Sequence, residues 1–335
     1  MQNLFDAVEN GNEYPEFRIS AGWNHEKFTA RLNAISQAIK GMIPQNEGSG
    51  REQNALPALI GLIEIENLSV LETLSGDFLS KQGYSWIAFS ASEGSPIGLG
   101  VISRYPISDV RAHSITINGE TSPRPILEIR IEPSGNPVGL PVGGPIVFLI
   151  CHWKSKVGGD DATAPLRRAS ARVVHRRLSE LKESEPGIAV IVMGDLNENH
   201  NEFSRRRSFS ALFEDDPDAA LMASASSLGG DFLVLSGERP PMAYYFDDGV
   251  YPLYSPWFYD IEEEGTYYYG ESWETIDHFL LNENLFIGHG WEYLGSSVVK
   301  HYPFTSSQGI PNRYNPQSGR GLSDHLPLLL YLKTR

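Results

Sequence analysis

Cysteine is almost absent from this sequence. Cys151 is the single one in 335 residues, which excludes an intrachain disulfide. Long apolar runs are missing too: none approaches the roughly 20 residues of a membrane helix. No charged opening followed by an apolar run marks a signal peptide. The compartment therefore stays open between cytoplasm and export with a leader outside this sequence. Positive charge is scarce, with 27 Lys and Arg against 42 Asp and Glu and a net charge of -15. That balance argues against simple electrostatic capture of a polyanion, which would have to meet a local basic groove or a metal ion that offsets the acidity. Internal repeats and low-complexity tracts are absent. What remains is ordinary globular composition, 41% hydrophobic and 21% charged, with ample length for a core.

Apolar positions Phe28, Leu32, Ile35 and Ile39 recur at helical spacing between Trp23 and Lys40 and stop at Gly41. After a polar Gly/Asn/Gln loop, Pro57–Ile63 reads as a buried strand that delivers Glu64, with Glu66 expected on the same face. Further strands are expected at Ser85–Phe89, Leu99–Ser103, Ile126–Ile131 and Ile146–Cys151. A helix from Pro165 to about Leu181 should turn Leu166, Ala169, Val173, Leu178 and Leu181 inward and its arginines, Arg167 among them, to solvent. The β-branched run Ile188–Met193 then ends in Gly194-Asp195-Leu196-Asn197, a strand running into a tight turn. Residues 200–275 look irregular and aromatic-rich, and Thr275–Leu281 and Leu326–Leu332 close the chain as strands. Strands alternating with helices predict a two-layer β-sandwich flanked by helices. It is expected as one domain over 1–335, with an aromatic-rich insertion around 230–270.

Strand edges carry the chemistry-bearing candidates Glu64, His152, Asp195, Asn197, Asp277, Asp324 and His325. Carboxylates with no cysteine partner suit a hard divalent cation such as Mg²⁺, with Mn²⁺ or Ca²⁺ as alternatives. Such an ion can polarise a phosphoryl oxygen, and a histidine oriented by an aspartate can serve as base or phosphate contact. Asp277 lies inside an apolar strand, where an unpaired carboxylate is costly to bury. It needs a partner, and His325 is the expected one; His278 beside it should face away and be structural. Among cations, Arg124, Lys154 and Arg206 are candidate phosphate contacts. The tyrosine clusters could stack bases, although packing of a hairpin is the simpler reading.

Five motifs stand in order: Gly61-Leu62-Ile63-Glu64-Ile65-Glu66-Asn67, His152-Trp153-Lys154-Ser155-Lys156, Gly194-Asp195-Leu196-Asn197, Ile276-Asp277-His278 and Ser323-Asp324-His325-Leu326-Pro327. Together they resemble the endonuclease/exonuclease/phosphatase superfamily, which includes deoxyribonuclease I. Gly265-Thr266-Tyr267-Tyr268-Tyr269-Gly270 before Trp273 resembles a bacterial branch of predicted nucleases within it. The resemblance spans Asn3 to Leu330. It implies a four-layer α/β/β/α sandwich with the site at one edge, and a metal-dependent phosphoesterase, foremost a monomeric nuclease. Glu64 and Asp324 would lie on the metal side, and Asp195 would hold or activate the attacking water. Asn197 would position that water or the phosphate, His325 would stand at the scissile phosphate, and Asp277 would orient a histidine. His152 would contact the phosphate or protonate the leaving oxygen.

One departure accompanies the resemblance. Relatives carry an Asn at the end of a first strand, three residues before the position of Asn3, and here that position precedes Met1. Either the start is misassigned or trimmed, or the sequence lacks that strand and a site asparagine; Asn3 matches the second Asn of the pattern, not the catalytic one. Two alternatives stay open: a phosphatase or phosphodiesterase on a small phosphorylated substrate, such as an inositol phosphate or lipid headgroup, and a catalytically weak family member.

Overall fold

Burial is nearly continuous along Ala189–Asp195, as befits a strand in the middle of a large sheet, walled by apolar side chains on both faces. The computed structural model describes residues 2–43, 56–132, 143–225, 230–247, 249–288 and 290–334. The polar loop expected after Gly41 falls mostly on residues 44–55, outside the described ones.

Eight strands form the large sheet, in the order Leu212–Glu214, Leu233–Ser236, Leu253–Tyr254, Asp277–Leu281, Ala189–Asp195, Ile146–His152, Ile126–Ile131 and Ile107–His113. Ile146–His152 runs parallel to Ala189–Asp195, while Asp277–Leu281 runs antiparallel to it on the other side. One face packs on the Asp160–Ser184 helix through Val147, Leu149, Val190 and Val192 against Val173, Val174, Leu178 and Leu181. The opposite face, carrying Phe148, Ile150, Ile191 and Phe279, meets Ile63, Leu99 and Val101 of a three-stranded antiparallel sheet. That sheet consists of Leu59–Ile65, Gly98–Ser103 and Trp86–Ser90, and its outer face is covered by Phe28, Leu32, Ile35 and Ile39 of the helix His25–Lys40.

The last strands, Trp291–Val298 and Leu328–Thr334, pair with each other. A cavity of about 590 Å³ lies between Leu59–Ile65 and Leu328–Thr334, lined by Ile39, Leu62, Phe148, Met193 and Leu330. Where the two sheets do touch, the contact is tight. A Cβ on Gly61 would stand 2.7 Å from the Met193 methyl, so this glycine lets the sheets close beneath their shared rim.

Three expectations need correction. Arg167 is not on a solvated face: it is fully buried, while Leu166 is half-exposed. Its guanidinium meets the carboxylates of Glu198 (2.8 Å) and Asp160, the Thr163 hydroxyl and the Lys154 carbonyl. A buried charge is tolerated when every donor has a partner, and two of these partners, Glu198 and Lys154, lie outside the helix, out of sight of its periodicity. The helix also begins at Asp160, ahead of Pro165. Finally, the 230–270 segment is no detached insertion, because Leu233–Ser236 and Leu253–Tyr254 extend the large sheet.

Candidate active site

Register alone lines up three site side chains. His152 pairs with Asp195 across the parallel ladder, and Asp277 pairs with Asp195 across the antiparallel one. In-register neighbours share a face, so His152, Asp195 and Asp277 form one row at the rim of the large sheet. The turn that frees Asp195 depends on Gly194, whose φ of +124° brings its α-carbon against Cys151. A Cβ there would lie 2.1 Å from the Cys151 carbonyl oxygen.

Asp277 receives its partner from the far end of the chain. Its Oδ2 lies 2.7 Å from His325 Nδ1 and accepts a second bond from the Thr266 hydroxyl at 2.6 Å. The bond at Nδ1 leaves Nε2 of His325 as the atom free to meet a substrate. Burial on its own would lower the His325 pKa, but the charge and hydrogen bond of Asp277 prevail and raise it to about 10. Burial pushes Asp277 up, yet His325 outweighs that and holds its carboxyl below the ordinary value. The Tyr267 ring stacks on the His325 imidazole at 4.5 Å. Thr266 and Tyr267 therefore fix the dyad from below, a role that Asp277 and His325 as isolated motifs gave no hint of.

Asp195 is 4% exposed. Its Oδ1 accepts the Asn197 backbone N–H at 2.8 Å, and its Oδ2 lies 3.7 Å from His152 Nε2. Burial first, and the Asp277 charge second, raise its pKa to about 7. Asn197, at φ +53°, donates from Nδ2 to the Trp153 carbonyl, which also accepts from Arg124 at 2.6 Å. Burial, then the nearby Arg124 charge, depress His152 well below the usual histidine value, so this imidazole is neutral at pH 7.

Glu64 arrives from the other sheet. Register slips between Ile63 and Ile65, and Glu64 stands in the resulting bulge at φ +61°. Bulges re-aim a side chain at sheet ends, and this one brings Oε1 to 4.0 Å from His152 Nε2. Oε2 accepts the Asn3 backbone N–H at 2.9 Å. Asn3 Oδ1 is buried and has no hydrogen-bond partner. Glu66 does not join this group: its carboxylate binds the Asp6 N–H and the Asn10 side chain, anchoring the N-terminal loop.

Asp324, adjoining His325, lies 3.9 Å from Arg313. Lys154 is half-buried, and burial lowers its pKa. Arg206 is elsewhere engaged, its guanidinium meeting Asp160, Asp161 (3.6 Å) and Glu202 (3.7 Å), so three carboxylates neutralise the cation read as a phosphate contact. His278 packs away from the rim, its Nε2 on the Glu198 carbonyl at 2.8 Å.

No group of three or more His, Cys, Asp or Glu among the described residues is arranged as a metal cage. Mg²⁺ does not require one, since it binds through one or two carboxylates and keeps water and substrate oxygens. The oxygen-only set of Glu64 with the unpartnered Asn3 Oδ1 beside it fits such an ion by ligand chemistry.

Comparison with known proteins bears on this arrangement. Residues 1–228 match the model of a family described as the Endonuclease/Exonuclease/phosphatase family. No curated protein matches the chain. Among solved structures it is similar to TDP2 from C. elegans, with 14% identity, a TM-score of 0.51, and 91% of this chain and 70% of that chain covered. It is also similar to D. rerio TDP2 humanized by 14 mutations, with 14% identity, a TM-score of 0.50, and 93% and 94% covered. The human Nocturnin catalytic domain with bound sulfate aligns at 16% identity over 83% and 82%, with a TM-score of 0.47. The two TDP2 likenesses establish a shared mixed α/β fold on a large central sheet.

Proposed function

The chain belongs to the endonuclease/exonuclease/phosphatase family of hydrolases acting on phosphoester bonds, and on that premise we propose that it is a divalent-metal-dependent nuclease. One observation carries the reading. The row His152–Asp195–Asp277, extended by His325 at one end and approached by Glu64 at the other, joins acid, base and cation-binding groups: Glu64 to His152 at 4.0 Å, His152 to Asp195 at 3.7 Å, Asp195 in register with Asp277, and Asp277 to His325 at 2.7 Å.

Glu64 would hold the ion, with Asp324 and the Asn3 side-chain oxygen as further oxygen donors. When bound, the ion supplies Lewis-acid polarisation of a phosphoryl oxygen. Asp195, with a pKa near neutrality, takes a proton from water as the new oxygen–phosphorus bond forms. The ester oxygen–phosphorus bond then breaks, and the leaving oxygen is protonated from solvent. His325, kept cationic by Asp277, donates from Nε2 to a non-bridging oxygen and offsets the charge that develops there. Neutral His152 suits the contact role better than the acid role, because a depressed pKa leaves little imidazolium to give up its proton. Asn197 and Arg124, both tied to the Trp153 carbonyl, flank the same turn and would orient the phosphate.

The test is incubation of the purified chain with plasmid, single-stranded DNA and RNA, in Mg²⁺ or Mn²⁺ against chelator. Cleavage that needs the ion is expected. Phosphate release from small phosphoesters, with all nucleic acids intact, would move the substrate to the small-molecule class. No hydrolysis in any arm would overturn the assignment.

A further inference from the structure

Gly270 and Glu271 turn a hairpin in which Tyr267–Tyr269 pairs with Ser272–Glu274. Alternation along a strand puts Tyr267 and Tyr269 on one face and Tyr268 on the other. The Tyr268 face does the packing, with its ring edge-on to Trp273 at 5.2 Å and Lys300 set over that indole at 4.7 Å. The Tyr267 face points the other way chemically. Tyr267 stacks on His325 at 4.5 Å, and Tyr269 lies parallel to Tyr267 within 7° at 6.2 Å. The series His325, Tyr267, Tyr269 thus runs from the proposed phosphate-binding imidazole outward to a ring that is 68% exposed. Arg313, exposed and 3.9 Å from Asp324, lies on the same side of the site and bears on Tyr267 through its charge.

We propose that this aligned aromatic series is a base-binding subsite, in which an unpaired nucleobase next to the scissile phosphate stacks on Tyr269. The substrate is then single-stranded nucleic acid or a frayed end, since a paired base has no free face to offer. Stacking of this kind is sequence-tolerant, because every base presents a π-face. It also suits a chain of net charge -15, in which grip from aromatic surface replaces part of the phosphate attraction that acidity denies. Arg313 would meet a neighbouring phosphate. Packing does not account for Tyr269, because the hairpin already has its Tyr268–Trp273 lock and the outer ring remains in water.

The inference rests on the nuclease reading, and two measurements keep the two apart. In chelator at low salt, fluorescence anisotropy compares a labelled single-stranded oligonucleotide with an abasic strand of equal length. Tyr269→Ala should weaken binding of the base-bearing strand by about tenfold or more, leave the abasic strand unchanged, and be rescued by Tyr269→Trp. With Mg²⁺ or Mn²⁺ added, the same variant should slow oligonucleotide cleavage while hydrolysing methyl phosphodiester at the wild-type rate. Equal losses on both strands would mean a structural role, and no loss on either would mean no stacking; each result overturns the proposal. Wild-type chain that binds bases through Tyr269 but cleaves nothing would end the nuclease reading alone.

Discussion

The two sides of the rim are built differently. Around the edge of the large sheet, Asp195, Asn197 and Asp277, together with His325 from the chain's last segment, each have a partner that fixes orientation, drawn from the Asn197 amide, the Trp153 carbonyl, the Thr266 hydroxyl or each other. On the small sheet, Glu64 stands in a left-handed bulge, and Asn3 Oδ1 is buried with nothing to bond. A satisfied network is ready to position a substrate. An oxygen buried without a donor, beside a carboxylate in a backbone conformation costing about 1–3 kcal/mol, is a place where a cation would recover what the fold gives up. The contrast teaches that one side is preorganised by the protein, whereas the other is the side where the proposed cation would complete the site.

The sharpest way to break this comparison is to disturb the preorganised side. His325→Ala and Asp277→Ala should each lower kcat/KM by about 10³-fold, and the double variant should be no worse than either single one, because the pair acts as a unit. Additive losses would mean that the two residues work separately. Next in size is the side proposed to hold the ion. Glu64→Gln should weaken Mn²⁺ or Mg²⁺ binding by about 10–100-fold in a calorimetric titration while leaving the melting temperature in chelator nearly unchanged. An unaltered isotherm would remove Glu64 from the metal site.

The pH profile sharpens the electrostatics of the preorganised side. Asp195 must be ionised to accept a proton, and burial with Asp277 raises its pKa to about 7. The rate should therefore rise about tenfold per pH unit below that value and level off above it. His325 must remain protonated, and its pKa of about 10 puts the falling limb on the alkaline side. A rate that falls through the neutral range would reverse both roles. The smallest effect is expected at Arg206. Because its charge is spent on Asp160, Asp161 and Glu202, Arg206→Ala should change kcat/KM by less than about twofold. A large rise in KM would return it to the substrate.

Much of this molecule was legible in one dimension, for a definite reason. Phe28, Leu32, Ile35 and Ile39 repeat at the period of a helix and are all buried, because local geometry and burial select the same residues. The runs ending at Glu64, His152 and Asp195 are strands because they are apolar on both faces and stop at polar turns. Arg167 failed this test: its partners Glu198 and Lys154 come from other segments. So did Glu66, whose role follows from the loop carrying Asp6 and Asn10. The strand pairs within 200–275 escaped notice because segments of two to four residues carry too little periodicity to register.

Sequence by itself determined which residue types end which strands, and hence that acids, an amide and imidazoles would lie at a rim; side-chain period and turn chemistry are local properties of the chain. Only the tertiary structure decided their company. Asp277 meets His325 from 48 residues away, Glu64 crosses from a second sheet to His152, and Tyr267 closes over the imidazole. Those meetings depend on register, a one-residue bulge and the packing of two sheets, and these are settled by the free energy of the whole core, which no short window of residues contains.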